Sequence, residues 1–359
     1  MPDVYNRLLN LLIPIGILLV ASLTILHSIV PSLASYQLIF ASIGLIGAFI
    51  ISRLDVEQYA FSAWVWYVIG TVPLIMTEIF GIVSRGSTRW IVLFGNQFQT
   101  SEFAKLALIM FSAIWLTSHD MSTLKEIVKY GLLMLLPIAL VFVQPDLGSA
   151  LMLLSIAAIG LLTAGIPFKH LFVLLVFIAI VVPLGISSLK SYQRDRISSF
   201  INPSTDRLGS GYNAIQATIA VGSGQLFGRG LGQGTQSHLK FLPERHTDFI
   251  FASFVEELGF SGGIIIIGAY IWLIMNLVST ARVAASAVQS MICLITAGLF
   301  LTQSLVNVGM NMSILPITGV TLPLVSYGGS SLLSTLLILG INWSIILKSH
   351  AHTKNLEIR

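Results

Sequence analysis

Three places in this 359-residue chain set acids against bases or put an acid where a helix begins. The first is Glu102 with Lys105, in Gln99-Thr100-Ser101-Glu102-Phe103-Ala104-Lys105. Three residues apart, they share a helix face and can pair. Such a pair either neutralises itself locally or sets an acid and a cation on the wall of a cavity, and the two roles are compatible. The second is Asp248, which closes Glu244-Arg245-His246-Thr247-Asp248 just before an apolar run from Phe249. Thr247 or Asp248 is the expected cap of that helix. A helix N-terminus also keeps a carboxylate charged, as a general base requires, so cap and base are not exclusive. Glu256 and Glu257 follow about two turns deeper. Adjacent acids face different ways, so at least one is expected to point into protein rather than lipid. The third is Gln144-Pro145-Asp146-Leu147-Gly148, where proline pushes the residue before it out of helix and Asp146 is expected to cap the helix that follows. Glu78, late in an apolar run, is expected to snorkel or pair.

Several chemistries are absent. Gly222, Gly224, Gly228, Gly230, Gly232 and Gly234 cluster, but no strand precedes them and no GxxxxGK[ST] follows, so flexible loop turns are the expectation. No GxSxG marks a hydrolase elbow. The seven histidines are scattered, and the single cysteine, Cys293, excludes both an intrachain disulfide and a CxxC metal motif. No basic stripe with interleaved aromatics suggests nucleic acid.

The elements that must position these acids are membrane helices. The chain is 55% hydrophobic and 9% charged, with mean hydropathy +0.89, whereas a soluble domain carries about 25% charged residues. Ten apolar runs fall at 8–30, 36–52, 59–83, 102–117, 128–144, 147–165, 168–187, 249–278, 285–310 and 324–347, each close to the length that crosses a bilayer. The fold class is therefore an all-α polytopic membrane protein with about ten transmembrane helices, 1–359 forming a single membrane domain. The first run is too long for a signal-peptide core and reads as a retained span. Arg7, Arg53, Lys125, Lys129, Lys169, Arg282, Lys348, Lys354 and Arg359 fall on one side and only Arg85 and Arg89 in short loops on the other. That bias puts both termini in the cytoplasm. Residues 188–247 form one large extracytoplasmic loop, in which Tyr212 to Val221 is expected to be a short amphipathic helix.

These motifs occur in the order seen in the SEDS family of bacterial cell-wall proteins, which the chain resembles over nearly its whole length. The resemblance is carried by Gly86-Ser87-Thr88-Arg89-Trp90-Ile91, the run from Gln99 to Lys105, Gln144-Pro145-Asp146-Leu147-Gly148, Asn202-Pro203 with Asp206, and Gly209-Ser210-Gly211-Tyr212-Asn213 with Gln216. It continues in Gly232-Gln233-Gly234-Thr235-Gln236-Ser237, in Phe241 to Phe251, and in Leu322-Pro323 with Ser326-Tyr327-Gly328-Gly329-Ser330-Ser331. The glutamine-rich and Phe241–Phe251 runs resemble the elongation branch more than the division or sporulation branches. Thr100 departs from the family, which has proline there, and is expected to alter the entry to the fourth span without removing Glu102 or Lys105.

The resemblance implies a peptidoglycan glycosyltransferase of the inner membrane that polymerises lipid II, a disaccharide-peptide on undecaprenyl diphosphate. It also implies a class B penicillin-binding protein as partner. The family's essential acid maps onto Asp248 and its cavity pair onto Glu102 and Lys105. A base near the acceptor hydroxyl fits Asp248. Departure of diphosphate calls for cations, and Lys105, Arg85, Arg89, Arg196 and Arg207 are the candidates, Lys105 and Arg196 first. No cofactor is specified, although a divalent cation such as Mg or Mn could share that role. A lipid flippase or transporter and a non-enzymatic scaffold are the competing classes. Against the first, no internal repeat is visible. For the second, Gly262-Gly263, Ala284, Ala285 and Ala287 could seat a partner helix or pack within the bundle.

Overall fold

The computed structural model describes residues 2–84, 87–93, 95–167, 169–170, 200 and 209–357. Its long helices are α1 (Pro2–Ile29), α2 (Pro31–Arg53), α4 (Ala63–Phe80), α5 (Thr100–Ser118), α6 (Leu124–Val143) and α7 (Leu147–Thr163). Three more follow after the large loop: α10 (Ile250–Ala281), α11 (Ala287–Asn311) and α12 (Gly329–Glu357). Short helices are α3 (Val56–Tyr59), α8 (Ser210–Ser223) and α9 (Thr235–His238). The nine long helices coincide with nine of the ten apolar runs. The remaining run, 168–187, lies almost wholly outside the described residues. Eight helices are long and apolar enough to cross a membrane, and α7, with 17 residues, is slightly shorter.

Local signals start these helices where they start. Pro31 sits at the first position of α2, where a missing N–H costs nothing, so the helix begins five residues before the apolar run that marks it. Asp146 caps α7 by accepting from Ser149 N, and Ser286 caps α11 by accepting from Gln289 N. Thr100 opens α5, and its hydroxyl bonds that of Thr77 at 2.7 Å. The entry is thus held by a side-chain bond to α4, with Glu102 and Lys105 kept in place.

The helices form two packed groups that share α11 and α12. One gathers α4, α5, α6 and α7; the other gathers α1, α2 and α10. α5 lies at the centre, 83% buried along its span, against 28% for α2, α4 and α6. The outward faces of those peripheral helices carry large apolar side chains such as Ile46, Ile50, Val68, Ile79, Leu132 and Leu135.

Two expectations need correction. The third run was expected to stay helical to residue 83 and to lead into a plain loop. Instead α4 stops at Phe80, and a three-stranded antiparallel sheet follows: β1 (Ile82–Ser84), β2 (Ser87–Leu93) and β3 (Asn96–Gln99). Trp90 faces Ile82 on one side and Gln99 on the other, and Gly95, at φ +80°, makes the β2–β3 turn. β-branched and aromatic residues favour strands, but beside a span their apolarity reads as more helix.

The glycine cluster is not a flexible loop. Gly228 and Gly230 have φ of +81° and +98°, and the segment is sewn to α10 through main-chain bonds. Arg229 N and Gly230 N donate to the carbonyls of Glu256 and Glu257, and Phe260 N and Ser261 N donate to those of Gln225 and Leu226. α10 breaks at Gly259 (φ +71°) to receive this strap. The backbones approach so closely that a Cβ on Gly228 would lie 2.1 Å from the Glu257 carbonyl oxygen. Only glycine meets both conditions.

α8 is the expected short helix, but its sides are not divided by polarity: Ala217 and Ala220 are buried against Phe249 and Ala252, while the larger Ile215 and Ile219 face outward.

Candidate active site

Four long helices begin at one end of the bundle and open onto one cavity of about 680 Å³. Its wall takes Gln99, Glu102 and Lys105 from the start of α5, Asp146 to Ser149 from the start of α7, Asp248 from the entry to α10, and Gly328 to Ser331 from the start of α12. The sheet adds Arg89, Trp90 and Phe98, and α2 adds Leu33, Tyr36 and Phe40. A helix N-terminus carries about half a positive charge and unsatisfied N–H groups, so this arrangement favours an anion. A cleft of similar size, about 690 Å³, lies between the ends of α1 and α2, but His27 is its one ionisable lining residue among those described.

Glu102 and Lys105 form a 2.7 Å ion pair, 5% and 2% exposed, and Ser334 Oγ donates to the same carboxylate at 3.3 Å. Both expected roles therefore hold geometrically, because the pair also lines the cavity. Asp146 is the cap it was expected to be: Oδ1 accepts from Ser149 N at 3.1 Å and Oδ2 from Ser149 Oγ at 2.8 Å. Oδ2 also accepts from Gln99 Nε2 at 3.0 Å and faces Arg89 Nη1 at 3.7 Å. Asp146 thus ties the sheet to α7 and holds Arg89 at the cavity.

Asp248 lines the cavity, but neither it nor Thr247 is the cap of α10. The cap residue is Phe249, which has no side-chain cap bond, and Thr247 Oγ1 donates instead to Glu244. The segment carrying Asp248 is held through its backbone. Ser326 Oγ donates to Thr247 O at 2.7 Å, and Tyr327 N donates to His246 O at 2.9 Å. Gly319, at φ +76°, runs beside the carboxylate; a Cβ there would stand 3.5 Å from Asp248 Oδ2.

Arg85, Arg196 and Arg207 lie outside the described residues, so of the expected cations Lys105 and Arg89 are the two placed at the cavity. Sequence reasoning missed Tyr36, Glu244, His246, Gln303 and Tyr327 as lining residues. Glu244 and His246 sit in a motif already singled out, and Tyr327 in a run read only as irregular backbone. Tyr36 and Gln303, inside apolar runs, gave no stronger signal than their polarity. Burial pushes the Tyr327 phenol above its ordinary pKa, with Tyr36 adding to the effect, so it stays a neutral hydroxyl.

Glu256 and Glu257 are both fully buried, beyond the expectation that one would be. Glu256 accepts from Gln236 N, Ser237 N, Ser237 Oγ and Thr235 Oγ1, and Glu257 from Ser28 Oγ, Gly232 N and His238 Nε2. Glu78 is exposed at the cavity end of α4, as a snorkelling acid would be. Gly262 and Gly263 are buried against Phe254, Leu258, Val255 and Phe251 of their own helix, which bends back at Gly259, so they pack within the bundle.

The model of the FtsW, RodA and SpoVE family of cell cycle proteins matches residues 3–353. The chain belongs to this family. It is 37% identical over 322 residues to the peptidoglycan glycosyltransferase MrdB of Escherichia coli strain K12, covering 88% of this chain and 85% of that one. It is 32% identical over 382 residues to the peptidoglycan glycosyltransferase RodA of Treponema pallidum, covering 86% and 88%. Among solved structures, a chain from a peptidoglycan synthase complex that coordinates polymerization and crosslinking matches with TM-score 0.82 at 31% identity, over 95% of this chain and 97% of that one. The crystal structure of the rod shape determining protein RodA of Thermus thermophilus matches with TM-score 0.72 at 27% identity, over 95% and 97%. Like these family members, the chain is a multi-pass membrane protein.

Proposed function

We propose that this chain is a peptidoglycan glycosyltransferase that polymerises lipid II into glycan strands during cell elongation and shape maintenance. The observation that carries this reading is one cavity where Asp248, the Glu102–Lys105 pair, Arg89 and four helix N-termini meet. The chemistry needs a base, cations and an anion platform, and these residue types supply each. The peptidoglycan glycosyltransferases among its relatives supply the substrate class.

In the reaction, an acceptor sugar hydroxyl attacks the anomeric carbon of a donor. The new carbon–oxygen bond forms as the bond to the lipid diphosphate breaks, and the electron pair leaves with the phosphate oxygen. Asp248 takes the hydroxyl proton, a contribution of about 10²–10⁴-fold. Lys105, Arg89 and the N-termini of α5 and α12 face the charge that builds on the departing diphosphate. Arg196, Arg207 and Arg85 remain part of the expected cation set. Leu33, Tyr36 and Phe40 offer an apolar wall on the α2 side for the polyprenyl tail.

A divalent cation fits these residues poorly. Among the described residues no three His, Cys, Asp or Glu side chains group as ligands, and the carboxylates of Asp146 and Glu102 are already engaged.

Arg7, Arg53, Lys125, Lys129, Arg282 and Lys348 lie at the helix ends away from the cavity. This supports a cytoplasmic location for both termini and an extracytoplasmic cavity, within a single membrane domain whose large loop is 188–247. A class B penicillin-binding protein is the partner suited to cross-link the product, in keeping with the synthase complex matched above.

The test is polymerisation of lipid II by purified protein in detergent, where no compartments exist. Wild type is expected to give glycan polymer, and Asp248→Asn to lose at least about 10²-fold in rate. A wild-type rate from Asp248→Asn would remove the base assignment. No polymer from wild type, with or without partner, would favour a transporter or scaffold.

A further inference from the structure

An aspartate is among the best helix caps, and one placed at the mouth of α10 is drawn to fold its carboxylate back onto the helix's own N–H groups. Asp248 does not do so. The reason lies in the neighbouring helix. Ala252 N, one of the orphan donors at the start of α10, donates to Asn311 Oδ1 at 2.9 Å. The same amide turns its nitrogen to the Asp248 carbonyl at 3.0 Å. One turn earlier in α11, Asn307 Nδ2 donates to that carbonyl at 3.0 Å and to Val320 O at 2.7 Å. Both asparagines are fully buried, and Asn311 Nδ2 also reaches Asn307 O at 2.8 Å.

We propose that Asn311 and Asn307 are positioning residues for Asp248, capping α10 from α11 and holding the Asp248 backbone where the residue lines the cavity. The two amides fix the Asp248 carbonyl from one side. Through Val320, Asn307 also fixes the segment in which Gly319 borders the carboxylate. A buried amide left without partners costs about 1–3 kcal/mol, so the arrangement either persists as a unit or opens as one. Four-residue spacing of two asparagines in an apolar span is itself a sequence signal, since polar groups at membrane depth are expensive. The inference rests on the reading of Asp248 as the base.

The test compares initial rates of lipid II polymerisation over a range of substrate concentrations for full-length wild type, Asn311→Leu, Asn307→Ala and Asn276→Leu. Asn276 serves as control: it is also buried in α10 and bonds a backbone carbonyl, that of Arg7, at the far end of the helix. Asn311→Leu is expected to lower kcat about 10- to 100-fold, as a small misplacement of a reacting group does, with KM within about twofold. Asn276→Leu is expected to lower the melting temperature in detergent while keeping kcat. Asn307→Ala leaves the Asn311 bonds to Ala252 and Asp248 in place and is expected to lower kcat several-fold; it decides the matter if Asn311→Leu does not fold. Equal kcat for Asn311→Leu and Asn276→Leu, or a change confined to KM, would overturn the proposal. A wild-type rate from Asp248→Asn would instead remove the base reading beneath it. An inactive Asp248→Asn beside fully active asparagine variants would sink this inference alone.

Discussion

Asp248 and Glu256 stand eight residues apart at the same end of α10, and their surroundings differ in kind. Glu256 is enclosed: two main-chain N–H groups and two hydroxyls of the turn 235–237 converge on its carboxylate. Asp248 has its carbonyl held by two asparagines while its side chain lines the cavity. A buried acid saturated by its own protein fastens a loop. An acid whose backbone is fastened at the wall of a cavity is held where it can meet something that enters. The Glu102–Lys105 pair lies between these extremes, engaged with each other yet lining the cavity.

The comparison can be broken by separating stability from turnover. Asp248→Asn, described above, should remove activity without lowering the melting temperature. For the intermediate pair, Glu102→Gln leaves a buried ammonium uncompensated and should destabilise by about 3–5 kcal/mol. The double variant Glu102→Gln/Lys105→Met should recover much of that in thermal unfolding while staying inactive. Recovery of activity would make the pair purely structural. Gly228→Ala meets both a positive φ and the Glu257 carbonyl, so a loss of more than about 3 kcal/mol is expected; folding yield in detergent reads it. Glu256→Gln keeps the shape but turns one acceptor oxygen into a donor facing donors. It should cost about 2 kcal/mol and leave kcat of the folded fraction unchanged, whereas a fall in kcat would bring Glu256 into the mechanism. Arg89→Gln gives the smallest effect. Its side chain is 29% exposed and stands 3.7 Å from Asp146, so KM for lipid II should rise about three- to tenfold, less at high salt.

The helices were legible because apolar length is a strong signal, and nine of the runs fall on helices. The β1–β3 sheet was not, since Ile82, Val83 and Ile91 serve a strand as well as a span end. The fourth run, 102–117, is short for a membrane span, and α5 carries Glu102 and Lys105 besides. Its position accounts for both, because a central helix, 83% buried, meets protein all round and needs no lipid-facing side. For the site, Glu102, Lys105 and Asp248 were visible as costly charges near helix starts, and Arg89 as a cation in a short loop. Their convergence was not, since it depends on elements up to about 230 residues apart, as in the Glu102–Ser334 bond. The cap of α10 was misread for the same reason: capping rules look along the chain, and Asn311 arrives from 59 residues away.

The strap between residues 225 and 230 is joined to α10 by main-chain groups alone, while the side chains of Gln225, Leu226, Phe227 and Arg229 stand exposed. Evolution can therefore rewrite those four letters without loosening the seam. A saturation scan of residues 224–230 should show three intolerant columns, Gly224, Gly228 and Gly230, and one that disfavours β-branched residues, Gln225 at φ +49°, while Leu226, Phe227 and Arg229 accept almost any residue that keeps its N–H. The chain carries there a surface that can diverge from one bacterium to the next while the join beneath it is preserved.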